Sequence, residues 1–280
     1  MKFGLYVPNY GKEMSAAALA DLAAEAEEAG WDGFYLWDHM NVGVSQKTQI
    51  VDPWVSLAAM AMKTEKLRLG TTVTPVPRRR PWKLARETAT LDHLSKGRVT
   101  LGVGLGHPPE NEFENFGEDG DAKVRALRLD EGLDIIAGLW KGKPFSYEGQ
   151  VYHMGRTQFL PGSYQQPRIP VWVGGFLPNP GPIRRAARWD GMFPLAPGEF
   201  NPAVLRELAQ QICELRGNLD NFDFIVLSNL TGPVSAADYA KKIAAFEKAG
   251  ATWSLQMLFR EKNSVEAMRE RIRQGPPRVG

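Results

Sequence analysis

Residues 94–106 read LSKGRVTLGVGLG, a helix end and a β-rich run closing on glycines at 102, 104 and 106. A dinucleotide-binding fold needs G-x-G-x-x-G at its first strand-to-helix turn, with an acidic residue about 20 positions on. Here the glycines alternate, position 107 is histidine, and the strand is the fourth of the chain. The dinucleotide reading fails on spacing and on place. What remains is a strand whose C-terminal end is bare on one face, so that a flat or bulky ligand can lie against the main chain at Gly104 and Gly106.

Outward from this stretch the same unit repeats. FGLYVP (3–8) reads as a strand ended by Pro8, and residues 15–29 carry Leu19, Leu22, Ala23 and Ala26 at helical spacing before Gly30. Strand 33–39 (GFYLWDH), helix 53–63 opened by Asp52 and Pro53, strand 68–75 (RLGTTVTP) and helix 81–94 opened by Pro81 follow. After helix 123–139, an irregular excursion over 140–168 contains FSYEGQVYHM, a small hairpin. Then come strand PVWVGG (170–175), helix 180–189, strand GMFPLA, helix 202–216, strand DFIVLSNL, helix 236–249, strand TWSLQMLF and helix 264–274. Near-continuous apolar strands alternating with amphipathic helices predict a parallel sheet covered on its outer face. Eight such units without a linker predict one closed α/β barrel of the (β/α)8 TIM type over residues 1–280. The 140–168 segment is then an insertion after the fourth βα unit, expected to lie over one mouth as a partial lid.

The 280 residues are 43% hydrophobic and 24% charged with a formal charge of +2, a balance that points neither to nucleic acid nor to a membrane surface. No run approaches the roughly 18 apolar residues of a membrane span, and the N-terminus lacks a signal-peptide pattern, so a cytoplasmic location is expected. The single cysteine, Cys213, sits in a helical pattern and reads as a buried structural thiol, so redox chemistry would come from a cofactor. Four scattered histidines suggest no metal site.

The run LGTTVTPVPRRRPWKLARETATLDHLSKGRVTLGVGLG (69–106) resembles the signature of the luciferase-like monooxygenase superfamily, whose members use FMN or the deazaflavin coenzyme F420. GFYLWDH (33–39), EFENFGE (112–118), RALRLDEGLDIIAGLW (125–140), PVWVGG (170–175) and RAARWDG (185–191) extend the match along nearly the whole chain. The resemblance implies a flavin-type oxidoreductase acting on a small organic substrate. Two forms are open: monooxygenation with reduced FMN delivered by a reductase partner, or hydride transfer with F420. It also implies a homodimer. A flavin-binding or storage protein without turnover is the alternative. A cofactor-free hydrolase would need paired carboxylates at strand ends, where this chain has glycines and one Asp-His pair.

By the same resemblance, Asp38 and His39 would lie beside the reactive edge of the ring, His39 as proton donor or acceptor. Thr72 and Val73 would form a non-proline cis peptide beneath the ring. His107 stands where deazaflavin sugar-phosphate dehydrogenases have a glutamate, and is open between substrate pocket and loop. From the residues themselves, Gly174 and Gly175 before LPNPGP offer backbone N–H groups for a cofactor phosphate. Tyr6, Trp37 and Trp54 are aromatic candidates for the pocket, although core packing explains each nearly as well. Arg78, Arg79 and Arg80 read as salt-bridge partners or, more sharply, as contacts for an oligoglutamate tail. Glu112 reads as the start of a turn-stabilising ion pair, and His93 as structural.

Overall fold

The computed structural model describes residues 1–43, 48–196, 200–228, 236–258 and 264–277. Its strands are β1 (Lys2–Val7), β2 (Tyr10–Gly11), β3 (Gly33–Leu36), β4 (Gln49–Ile50), β5 (Arg68–Pro75), β6 (Val99–Gly104), β7 (Phe145–Glu148), β8 (His153–Thr157), β9 (Val171–Phe176), β10 (Gly191–Leu195), β11 (Asp223–Ser228) and β12 (Trp253–Met257). Eight of them close a barrel in the order β1-β12-β11-β10-β9-β6-β5-β3. Every pairing in it is parallel, and β1 completes the ring by pairing with both β12 and β3. Each expected strand is present. Residues 229, 230 and 259, which end the DFIVLSNL and TWSLQMLF runs, lie outside the described residues.

The helices are α1 (Ala16–Glu28), α2 (Pro53–Lys63), α3 (Pro81–Leu94), α4 (Pro109–Glu112), α5 (Ala122–Trp140), α6 (Pro180–Ala186), α7 (Pro202–Arg216), α8 (Ala236–Lys248) and α9 (Val265–Arg273). Their starts follow local chemistry. Ser15 accepts a hydrogen bond from Ala18 N at 3.1 Å, and Asp52 one from Val55 N at 2.9 Å ahead of Pro53. The four-residue α4 and the short β2–β4 ribbon have too few residues for a periodic pattern, and sequence reading passes over both.

Two apolar layers result. Between strands and helices lies the larger, including Leu5, Leu36, Leu69, Val99, Leu101 and Val171 against α1, α2, α3 and α5. Inside the barrel, Tyr35, Trp172 and Trp253 pack with ring centroids 4.9–5.7 Å apart. They fill the half nearest the strand beginnings, so the interior is a packed core with one open end.

The 140–168 insertion, expected as a partial lid, runs beside α3 and α5. β7 and β8 form the expected antiparallel hairpin, but it lies on the outer flank of α3 and α5. Its turn is held by Glu131 of α5, which accepts from the backbone N–H groups of Gln150, Val151 and Tyr152. Beyond it, Gln165 bonds to Asp92 and to Val99 O, at the end of α3 and the beginning of β6, while His93 meets Gly162 O at 2.9 Å. Residues 162–165 thus find partners at the N-terminal end of the barrel, whereas the hairpin turn lies beside Glu131 in the middle of α5 and Tyr152 packs on Trp82 at the start of α3.

Candidate active site

Three neighbouring strands deliver the polar part of the site. Asp38 and His39 follow β3, Arg78 and Arg79 follow β5, and Glu112 ends α4 after β6. These chain segments are far apart in sequence and adjacent only because β3, β5 and β6 are consecutive in the ring.

The Asp38 side chain is 1% exposed. Arg78 Nη2 donates to its Oδ1 at 2.6 Å, and Arg79 Nη2 reaches both oxygens at 3.0 and 2.9 Å. Thr74 Oγ1 donates to Oδ2 at 2.8 Å. With both oxygens met by protein donors, the Asp38 carboxylate is a structural anchor of the cluster. Arg78 and Arg79 are correspondingly salt-bridge partners rather than free cations for an anionic tail, while Arg80 is exposed at the start of α3.

Glu112 has a larger place than a turn-stabilising pair. Its side chain is fully buried, Oε2 pairs with Arg78 Nη1, and Oε1 lies 2.7 Å from Nδ1 of His39. The His39 main chain is fixed separately by buried Asn9, whose Nδ2 donates to His39 O at 2.9 Å and whose Oδ1 accepts from His39 N at 3.2 Å. Neither Asn9 nor this role of Glu112 was legible in the sequence. The partial signal for Glu112 was the EFENFGE match; a lone buried asparagine carries none.

The His39 side chain remains 25% exposed. Burial and the neighbouring Arg78 guanidinium push its imidazole below the usual histidine range, with the Asp38 carboxylate opposing them. The shift favours the neutral imidazole, and its rings of contact are Tyr10 and Trp37, both edge-on, with centroids at 6.1 and 5.6 Å.

Next to this cluster the strand ends form an apolar floor. Half-buried Trp37, Val73, Leu195, Leu227 and Met257 sit on the interior layer of Tyr6 and Phe193. Tyr6 and Trp37 thus belong to the mouth, whereas Trp54 packs in the layer between strands and helices. The Thr72–Val73 peptide is cis, as the resemblance implies. Val73 explains two of the glycines: a Cβ on Gly104 or Gly174 would stand 2.6 Å from one of its methyl groups. The bare backbone at those positions admits Val73 and raises the floor. Gly106 has φ +87° and a Cβ there would strike Phe113, so it serves the turn.

The Gly174–Gly175 turn is a poorer anion site than its sequence suggests. Gly175 backs onto Pro182, and Pro180 and Pro182 remove two of the N–H groups at the start of the seven-residue α6. His107 is exposed on the rim after β6, its ring 5.7 Å from Phe176 and outside the His39 cluster. Cys213 is a half-buried free thiol on α7. Among the described residues no group of three His, Cys, Asp or Glu side chains could hold a metal ion, and no helix is long and apolar enough to cross a membrane.

A barrel with an apolar floor at its C-terminal mouth and a histidine on the rim fits a flat, largely apolar ring that exchanges electrons while a side chain handles protons. Thr72 Oγ1, buried without a hydrogen-bond partner among the described residues, adds an unsatisfied polar atom beside Val73. The family model for luciferase-like monooxygenases matches residues 1–275, and the chain belongs to that family.

An F420-dependent glucose-6-phosphate dehydrogenase of Nakamurella multipartita is 30% identical over 226 residues, 77% of this chain and 63% of that protein. The oxygenase component of a flavin-dependent trigonelline monooxygenase of Acinetobacter baylyi is 31% identical over 163 residues, 58% of this chain and 43% of that one. The chain thus spans less than two-thirds of the length of either relative. Among solved structures, an F420-dependent secondary alcohol dehydrogenase in complex with an F420-acetone adduct superposes with a TM-score of 0.81 at 18% identity, covering 100% of this chain and 99% of that one. The oxygenating constituent of 3,6-diketocamphane monooxygenase from Pseudomonas putida, in complex with FMN, gives 0.76 at 17%, covering 98% and 96%. At these identities the structures establish the shared fold.

Proposed function

We propose that this protein is a flavin-class oxidoreductase that works at the C-terminal mouth of its barrel, with His39 as the group that exchanges a proton with a small organic substrate. The observation that carries the reading is the half-buried imidazole of His39, pushed below its usual range by burial and Arg78, beside the apolar floor of Trp37, Val73 and Met257. FMN or F420, when bound, would supply the two-electron chemistry that none of the described side chains can. Val73 and Trp37 would support the ring from below, and the surrounding apolar side chains would keep water from the reacting atoms.

A neutral imidazole suits removal of a hydroxyl proton as an alcohol is oxidised, which favours hydride transfer with F420. The name of the Nakamurella relative supports the same choice. The name of the Acinetobacter relative supports FMN with a separate reductase.

Titration of the purified protein with F420 and with FMN, followed by tryptophan fluorescence, tests this directly because Trp37 lies in the floor. Saturable quenching by F420 alone directs the search to alcohols and their carbonyl products. Preference for FMN replaces the hydride-transfer reading with oxygen-dependent turnover beside a reductase. Binding of neither overturns the proposal.

A further inference from the structure

We infer that Glu112 is a positioning residue: clamped by Arg78, its carboxylate holds His39 in the Nδ1–H tautomer and leaves Nε2 as the proton acceptor. The inference rests on the reading of His39 as the proton-handling group and adds the device that prepares it.

The geometry leaves little freedom. An ionised carboxylate only accepts hydrogen bonds, so the hydrogen in the 2.7 Å contact between Nδ1 and Oε1 belongs to His39. Glu112 is enclosed by donors, surroundings that favour its carboxylate form. Arg78 takes Oε2, and Met40 N approaches Oε1 at 3.4 Å. Around the ring stand Asp38 and Glu112 against Arg78 and Arg79, with Tyr10 facing it from the β2–β4 ribbon. Two carboxylates and two guanidiniums balance. A resting proton on Nε2 would add an unmatched positive charge to a buried cluster, whereas a proton arriving from substrate would meet the carboxylate of Glu112 directly behind the ring. The arrangement follows the logic of a catalytic triad, in which a buried carboxylate selects the tautomer and steadies the imidazolium.

The test uses Glu112→Gln. A glutamine amide can donate to Nδ1, which favours Nε2–H and removes the acceptor. Nitrogen-15 NMR of the protein without added cofactor, with His39 assigned by difference against His39→Gln, is expected to show the proton on Nδ1 in the wild type and on Nε2 in Glu112→Gln. With substrate, kcat is expected to fall by roughly 10²- to 10⁴-fold while KM and cofactor affinity hold. In a His39→Ala background the same change should cost nothing further. Glu112→Asp, which keeps the charge and the Arg78 partner, is expected to recover the wild-type tautomer and most of the rate; it also serves if Glu112→Gln folds poorly.

A wild-type His39 protonated on Nε2 at pH 7 overturns the inference. So does an equal loss from Glu112→Gln whether or not His39 is present. Should the tautomer be as stated while His39→Ala retains full activity, the role of His39 as the proton-handling group fails and the positioning by Glu112 stands.

Discussion

At the scale of single residues, the site favours the neutral form of one imidazole. Desolvation and Arg78 lower the His39 pKa, so between that lowered value and about 6.5 the unfolded chain binds a proton that the folded chain does not. The sign follows: this group's contribution to stability is complete above about pH 6.5 and declines as pH falls through that window. The acid limb of a kcat/KM profile should accordingly lie below the ordinary imidazole value. A limb at or above about 6.5 would contradict the lowered pKa of His39. The residues that make this environment were unevenly legible. His39 and Asp38 could be marked because they are adjacent in sequence at the end of a strand. Glu112 could not be connected to His39, since nothing in a chain separation of 73 residues indicates a 2.7 Å contact.

Elements set what each glycine can tolerate. A Cβ on Gly102 would lie 2.0 Å from the carbonyl oxygen of Thr71, a backbone atom of the adjoining strand β5. On Gly104 it would meet only a methyl of Val73, at 2.6 Å, and a side chain can turn aside. Gly102→Ala is therefore expected to destabilise by more than about 4 kcal/mol or to prevent folding, while Gly104→Ala costs about 1–3 kcal/mol and weakens cofactor binding by shifting the floor. Thermal denaturation and the fluorescence titration separate the two effects. The hairpin β7–β8 offers a different test. Burial acts to raise the Glu131 pKa, but the N–H groups of Tyr152, Gln150 and Val151 outweigh it and hold the carboxyl below its usual range. Glu131→Ala should free the hairpin turn, raising amide exchange at 150–152 at a cost of about 1–3 kcal/mol, without altering chemistry at the His39 cluster. Lost turnover with an intact fold would return the insertion to the active site.

For the molecule as a whole, closure is the decisive event. The first strand pairs with the last, Lys2 opposite Trp253 through Tyr6 opposite Met257. Interior residues Trp253 and Leu255 pack against Tyr35 and Trp172 from strands far apart in sequence. Removing residues 252–280 would take away β12 and α9 and open the ring along β1 and β11. The shortened chain is expected to lose its near-ultraviolet circular dichroism and to expose apolar surface to a hydrophobic dye. A cooperative unfolding transition in that variant would show that the remaining strands form a stable core without closure.

The barrel was legible in the chain by itself because its causes are local. Apolar runs such as VTLGVG and PVWVGG alternate with helices opened by Asp52, Pro53 and Pro81, and secondary structure follows from spacing and capping over a few residues. The bare strand ends were legible too, but their purpose was not. Gly104 and Gly174 lie on different strands, and only their approach across the ring shows that Val73 occupies the space both leave. The tertiary structure likewise decided the course of the insertion and the cluster that joins Asp38, Arg78 and Glu112 to His39. Each depends on contacts between segments that sequence separates and barrel closure makes neighbours.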